Sequence, residues 1–377
     1  MSIKIGNYFY VVTFPDQPLY RVETLVLDAN VVGHLYDWAL GKRTEITRSQ
    51  IQPLLELVRG VKFVEYVSGV LESSWGVPKN ASMGRSNYDH IRLNDFRLKV
   101  RAIDTIVQAD TKTFNSWLEE GRNSSIPFIP FDESRARGLI RDEEEFRIVA
   151  QVVMKDWVGF LSMLKYLRDL WDCDDIDLLI GGFRSWRDEL HNWKAPISAI
   201  PTYLAKIGFF GGSIRSRFFV QEEKLWRDAK IYNREMLFKR EEWAERGLVR
   251  LARNLAFDAH AFYERQMWES GYVPWGFTTE NPVKCEKSVT GIVTADQGIN
   301  AINSMIQSAN PLESPLSGYR MQYPKDSKLS RQLSESEIGE LFSFVKRAPR
   351  ELLDSNQLVT IAESLMDELT RPTDPSP

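Results

Sequence analysis

Thr24-Leu25-Val26-Leu27-Asp28-Ala29-Asn30 decides how the chain is read. Four residues suited to burial, two of them β-branched, stop abruptly at an acid, as a buried parallel strand does when it reaches a functional edge. Beyond it, Val31 to Leu40 carries Val32, Leu35, Tyr36 and Ala39 on one helical face, and Ile51 to Val58 repeats that periodicity before Gly60 ends it. Val61 to Val67 is a second apolar run; Ser68 follows as an N-cap and Gly69-Val70-Leu71-Glu72 opens a helix with an early acid. The device returns near the other end of the chain. Gly291-Ile292-Val293-Thr294 reads as a short buried strand ending at Ala295-Asp296, with a helix expected through Ile302, Met305 and Ile306.

Between these parts the pattern is helical. Residues 87–247 form long helical segments with breaks near 127–130, 181–182, 196–201 and 211–212. Their clearest member runs from Asp142 to Trp171, where Val149, Val152, Val153, Trp157, Phe160, Leu161, Leu164 and Leu167 recur at three- and four-residue spacing. Another helical stretch runs from Gln221 to Ser270. The last part holds a polar linker and two helices, one opened by the Ser334/Glu337 capping box and one over Asn356 to Leu369.

The expected fold is therefore α/β: a parallel sheet flanked by helices, interrupted by a helical insertion. The domain reading is 1–86 and 248–310 for the two parts of the α/β domain, 87–247 for the insertion, and 311–377 for the linker and C-terminal helices.

Composition narrows the function classes. In 377 residues with 43% apolar content there is material for a large core. The 48 Lys and Arg nearly balance the 52 Asp and Glu, so any nucleic-acid surface must be local. Arg97, Lys99 and Arg101 are among the cations on offer, although a solvated helix face is the first reading for most of them. Two distant cysteines, Cys173 and Cys285, argue against a disulfide framework or a zinc site and suit a reducing cytoplasm. No signal peptide or apolar span of membrane length is read, so no membrane partner is expected. The 11 tryptophans suit core packing first and base stacking second.

In an open α/β sheet, ligands bind outside the carboxyl ends of the strands, so Asp28 and Asp296 are expected on one rim, with Glu72 joining them from the helix after the next strand. Two carboxylates about 4 Å apart repel by roughly 4 kcal/mol at an effective dielectric near 20, so a cation belongs between them. Oxygen-only ligands favour Mg²⁺ or Mn²⁺. Water beside such an ion loses a proton more readily and attacks a phosphodiester.

These segments resemble the PIN-domain nucleases. Leu25 to Asn30 looks like the family's first strand and metal acid, and Ser68 to Glu72 like its second-acid helix. Asn254-Leu255-Ala256-Phe257-Asp258 is similar to its third-acid helix, and Ile292 to Asp296 to its Thr-x-Asp strand. The four occur in the family's order, over about 1–85 and 248–310; the long insertion between the second and third acids is the departure. The resemblance implies a metal-dependent endoribonuclease with Asp28, Glu72, Asp258 and Asp296 as metal ligands. Asn30 and Thr294 support them or cap the following helices. Asp228 and Glu264, on neighbouring helical turns, stand as alternatives to Asp258. RNA is the implied substrate, and a toxin or antiviral-defence setting with an inhibitor protein is implied by analogy alone. The competing readings are an inactive scaffold that binds a partner through the Trp-rich insertion, and a structure-specific DNA nuclease.

Overall fold

The computed structural model describes residues 2–13, 18–42, 44–74, 90–120, 124–128, 143–173, 175–193, 237–243, 247–278, 281–296 and 355–370, with short pieces between 201 and 209 and between 298 and 321. These residues divide into two compact units. The first comprises 1–150, 260–303 and 310–318, and the second comprises 151–259, 304–309 and 319–377.

The first unit is α/β. Strand β1 (Ser2–Ile5) and β2 (Phe9–Val12) form a hairpin, followed by β3 (Thr24–Leu27), α1 (Ala29–Ala39), α2 (Arg48–Gly60), β4 (Phe63–Glu65), α3 (Val67–Ser74), α4 (His90–Gln108) and α5 (Thr111–Glu120). After α6 (Glu143–Leu170) and α7 (Ile176–Asn192) come α8 (Leu248–Ser270), the antiparallel pair β5 (Tyr272–Thr278) and β6 (Asn281–Lys284), and β7 (Thr290–Thr294).

The sheet order is β1-β2-β7-β3-β4. β3 runs parallel to both β7 and β4, and every residue of β3 and β7 is buried, as strands covered on both faces require. Each of Leu25, Val26 and Leu27 is fully buried and contributes about 2 kcal/mol through burial. The sheet is mixed, however, where the sequence reading expects a parallel one. β2 lies antiparallel to β7, pairing Tyr10 with Thr294, and β1 adds a further antiparallel edge.

Local chemistry sets several boundaries. Gly6 and Asn7 both take positive φ, and Tyr8 N donates to Ile5 O, closing the β1–β2 turn. A Cβ on Gly6 would collide with the Gln50 carbonyl of α2. Ser68, expected from sequence to cap α3, lies inside the helix instead. The helix starts at Val67, and the Glu65 carboxylate accepts from Tyr66 N and Val67 N, satisfying amides that a first turn leaves open. Ile306 also departs from the expected helix: it begins β8 (Ile306–Ser308), which pairs with β9 (Tyr319–Met321) in the second unit. The Ser334 capping box lies outside the described residues.

The second unit is built mainly on α6, α7 and α9 (Ser355–Thr370). Among its described tryptophans, Trp157, Trp171, Trp186 and Trp243 are buried in the core and Trp193 is half-buried. Trp186 Nε1 donates to Gly159 O across α6 and α7, and Lys165 bridges Glu189 of α7 and Glu368 of α9. Among the described residues no helix is long and apolar enough to cross a membrane.

Tyr66 donates its hydroxyl to Asp104 of α4 at 2.7 Å. Burial raises the Asp104 carboxyl from 3.8 to about 6, against the pull of that hydrogen bond. The folded state thus holds this proton more tightly than the unfolded chain does. The associated stability is full below about pH 4 and is lost as pH rises through about 6. Burial shifts Glu65 to about 7 and Glu269 to about 8, in the same sense. Asp104→Asn keeps an acceptor for Tyr66 and removes the ionisation. Its melting temperature at pH 7.5 should exceed that of the parent by a few degrees, with a flatter pH profile between 4 and 6 in thermal denaturation.

Candidate active site

The carboxyl ends of β3 and β7 meet because Leu27 pairs with Val293, and Asp28 N donates to Val293 O at 3.0 Å. Asp28 is the N-cap of α1 and is only 6% exposed. Its Oδ1 accepts from Ala29 N at 2.7 Å. Its Oδ2 accepts from the Thr294 hydroxyl at 2.6 Å and from the Asn30 amide. Three donors on one carboxylate restore much of what burial removes.

The same side chains reach Asp296. Thr294 Oγ1 accepts from Asp296 N at 2.8 Å while donating to Asp28, so one hydroxyl ties the Asp28 carboxylate to the backbone of Asp296. Asn30 acts in parallel, with Nδ2 on Asp28 and Oδ1 accepting from Ala295 N at 2.9 Å. Asp296 Oδ1 accepts from Gly298 N at 2.6 Å, which fixes the turn leaving the strand. Asp28 also senses the Asp296 charge. Burial lifts the Asp28 carboxyl to about 6 and the Asp296 charge pushes the same way, while Thr294, Ala29 and Asn30 oppose both.

Helix α3 abuts this rim. Gly69 packs so closely on the end of β3 that a Cβ there would strike the Leu27 carbonyl. In the turn beside it, Ser68 donates its backbone N at 3.1 Å and its hydroxyl at 2.6 Å to the two oxygens of Glu264, which is fully buried on α8. Glu72 lies half-buried near the end of α3. Asp258 belongs to the second unit, half-buried on α8, two residues before the buried His260. Asp228 lies outside the described residues.

Of the four acids read from sequence, two are therefore brought together through shared hydrogen bonds, Asp28 and Asp296. Among the described residues no three His, Cys, Asp or Glu side chains are grouped so as to hold a metal ion. The donor set still fits Mg²⁺, which commonly takes one or two carboxylates and completes its shell with water and substrate phosphate. Glu65 is the acid the sequence reading passed over; it ends β4 as Asp28 ends β3, and its signal was that same position after a β-rich run. Lys99, read as one of several candidate phosphate contacts, is buried instead, donating to Ser73 O and Asp95.

Comparison with known protein families, with curated proteins and with solved structures finds no match to this chain.

Proposed function

We propose that this chain is a PIN-type, Mg²⁺- or Mn²⁺-dependent nuclease that hydrolyses phosphodiester bonds of RNA, with Asp28 and Asp296 as its central acids. The observation that carries the reading is the Asp28–Thr294–Asp296 arrangement at the carboxyl ends of two adjacent parallel strands. Glu72 and Asp258 complete the set in this proposal, as the family resemblance implies; Glu264, the other acid considered for the third place, has both oxygens engaged by Ser68. A divalent cation held at the acids would make water a stronger nucleophile and offset charge on the phosphoryl oxygens. Asn30 and Thr294 hold the Asp28 carboxylate in one orientation, and Thr294 keeps the Asp296 backbone beside it. The partner-binding scaffold reading is weakened at Trp157, Trp171, Trp186 and Trp243, which are spent on core packing, while Trp193 stays half-buried.

Purified protein should cleave labelled single-stranded RNA with Mn²⁺ or Mg²⁺ and stop in EDTA, with DNA offered in parallel to identify the polymer. Asp28→Asn should lower the rate at least ~100-fold with an unchanged or higher melting temperature, since it removes a buried charge. Cleavage that survives Asp28→Asn combined with Asp296→Asn overturns the assignment. Thr294→Val keeps the shape of the strand and removes the shared hydroxyl. It should cost roughly 10- to 100-fold in activity or metal affinity, read by rate and by metal titration. A rate equal to that of the parent would reduce Thr294 to a strand residue.

A further inference from the structure

Helix α1 leaves the acids with a half-buried stripe. Val31, Val32, Leu35, Trp38 and Ala39 face the core, while Asn30, Gly33, His34 and Asp37 fall at helical spacing on another side. Asn30, at the start of this stripe, bridges Asp28 and Ala295. Gly33, one turn later, weakens the interior of a helix relative to alanine. Among the described residues packing gives no reason for it: a Cβ on Gly33 would meet none of their atoms within 4 Å, in contrast to the crowded Gly6 and Gly69.

The next residue of α1 belongs to an aromatic group. The His34 ring stands edge-on to Tyr8 at 5.6 Å and to Phe9 at 5.9 Å between centroids, and Tyr8 and Phe9 meet edge-on at 4.9 Å. The Tyr8 hydroxyl lies 3.5 Å from His34 Nε2. Phe9 is fully buried, so it fixes the group, whereas Tyr8 is 37% exposed. The turn that presents Tyr8 is closed by its own hydrogen bond and seated on α2.

Topology places Tyr8 at the same rim as the acids. Asp28, Thr294 and Tyr10 form one row across β3, β7 and β2, and antiparallel β2 puts Tyr8 beyond that row, on the side where β3 and β7 end. Two strand spacings separate the row's ends, on the order of 10 Å. A single strand covers that distance in about one or two nucleotides. An aromatic face held by edge contacts, next to bare helix backbone, suits the flat face of an unpaired base. Bases stacked inside a duplex cannot present that face.

We infer that Tyr8, Gly33 and His34 form a seat for one unpaired base of a single-stranded nucleic acid whose phosphate lies at Asp28 and Asp296. The inference rests on the nuclease reading and adds to it a base seat and the residues that build it. Tyr8 stacks, His34 and Phe9 hold its ring, and Gly33 lets the nucleotide approach α1.

The test is binding of a single-stranded RNA decamer carrying one 2-aminopurine to the Asp28→Asn protein, followed by fluorescence quenching and anisotropy. Tyr8→Ala in that background should weaken binding roughly 5- to 150-fold and abolish quenching, while Tyr8→Trp retains both. Gly33→Gln, a good helix former, should melt no lower than its parent and bind at least ~5-fold more weakly. The same decamer annealed to its complement should bind more weakly than the free strand. Unchanged binding in Tyr8→Ala or in Gly33→Gln, or equal affinity for the duplex, overturns the seat. If the parent cleaves RNA and these variants bind normally, the seat alone fails; if the parent neither binds nor cleaves, the nuclease reading fails with it.

Discussion

Parallel pairing of β3 with β7 is the constraint on which the site depends. The pair joins segments far apart in the chain, since Asp28 and Thr294 are 266 residues apart when they hydrogen bond. Loop-closure entropy grows only with the logarithm of loop length, so a long helical insertion adds little to the cost of that meeting. The register decides the rest. With Leu27 opposite Val293, the residues after each strand emerge together, and an acid at one edge meets a hydroxyl and an acid at the other. A slip of one residue would turn each side chain to the opposite face of the sheet and break the row.

Gathering two carboxylates at a buried edge demands donors that serve more than one acceptor. Threonine and asparagine meet that demand because each donates and accepts at once. Thr294 gives its proton to Asp28 and takes one from Asp296 N, and Asn30 does likewise between Asp28 and Ala295 N. Neither is only a helix cap. Neutral donors counter the cost of burying Asp28 but add no positive charge, so the carboxyl stays well above the ordinary carboxylate range. A hard cation, as the proposed function requires, would supply what those dipoles lack.

The two strand-and-acid segments were legible because buried parallel strands show themselves as short apolar runs, and their ends are visible where a polar residue interrupts them. A rule of α/β topology put their ends on one rim, and the pairing of β3 with β7 makes them neighbours there. The hairpin at 2–12 was not read, although Gly6-Asn7 between Ile5 and Phe9 carries the turn signal, because four-residue strands give alternation too little length to register. Ser68 looked like a cap because propensity sees only neighbours; its partner Glu264 is 196 residues away. Helical periodicity fails in the same way for Glu72 and Asp258. It gives each a face of its helix and says nothing about what that face meets.

The acids around α3 differ from Asp28 and Asp296 in how their charge is used. Glu65 closes the first turn of α3 through Tyr66 N and Val67 N, and both oxygens of Glu264 accept from Ser68. Those two carboxylates are occupied in fixing α3, whose Gly69 must lie against the Leu27 carbonyl for β3 to end where it does. Buried charge therefore does two kinds of work at one sheet edge. One pair of acids anchors the helix that walls the rim. The other is held on the rim by side chains that arrive from both strands, which is where chemistry on a bound phosphate would have to occur.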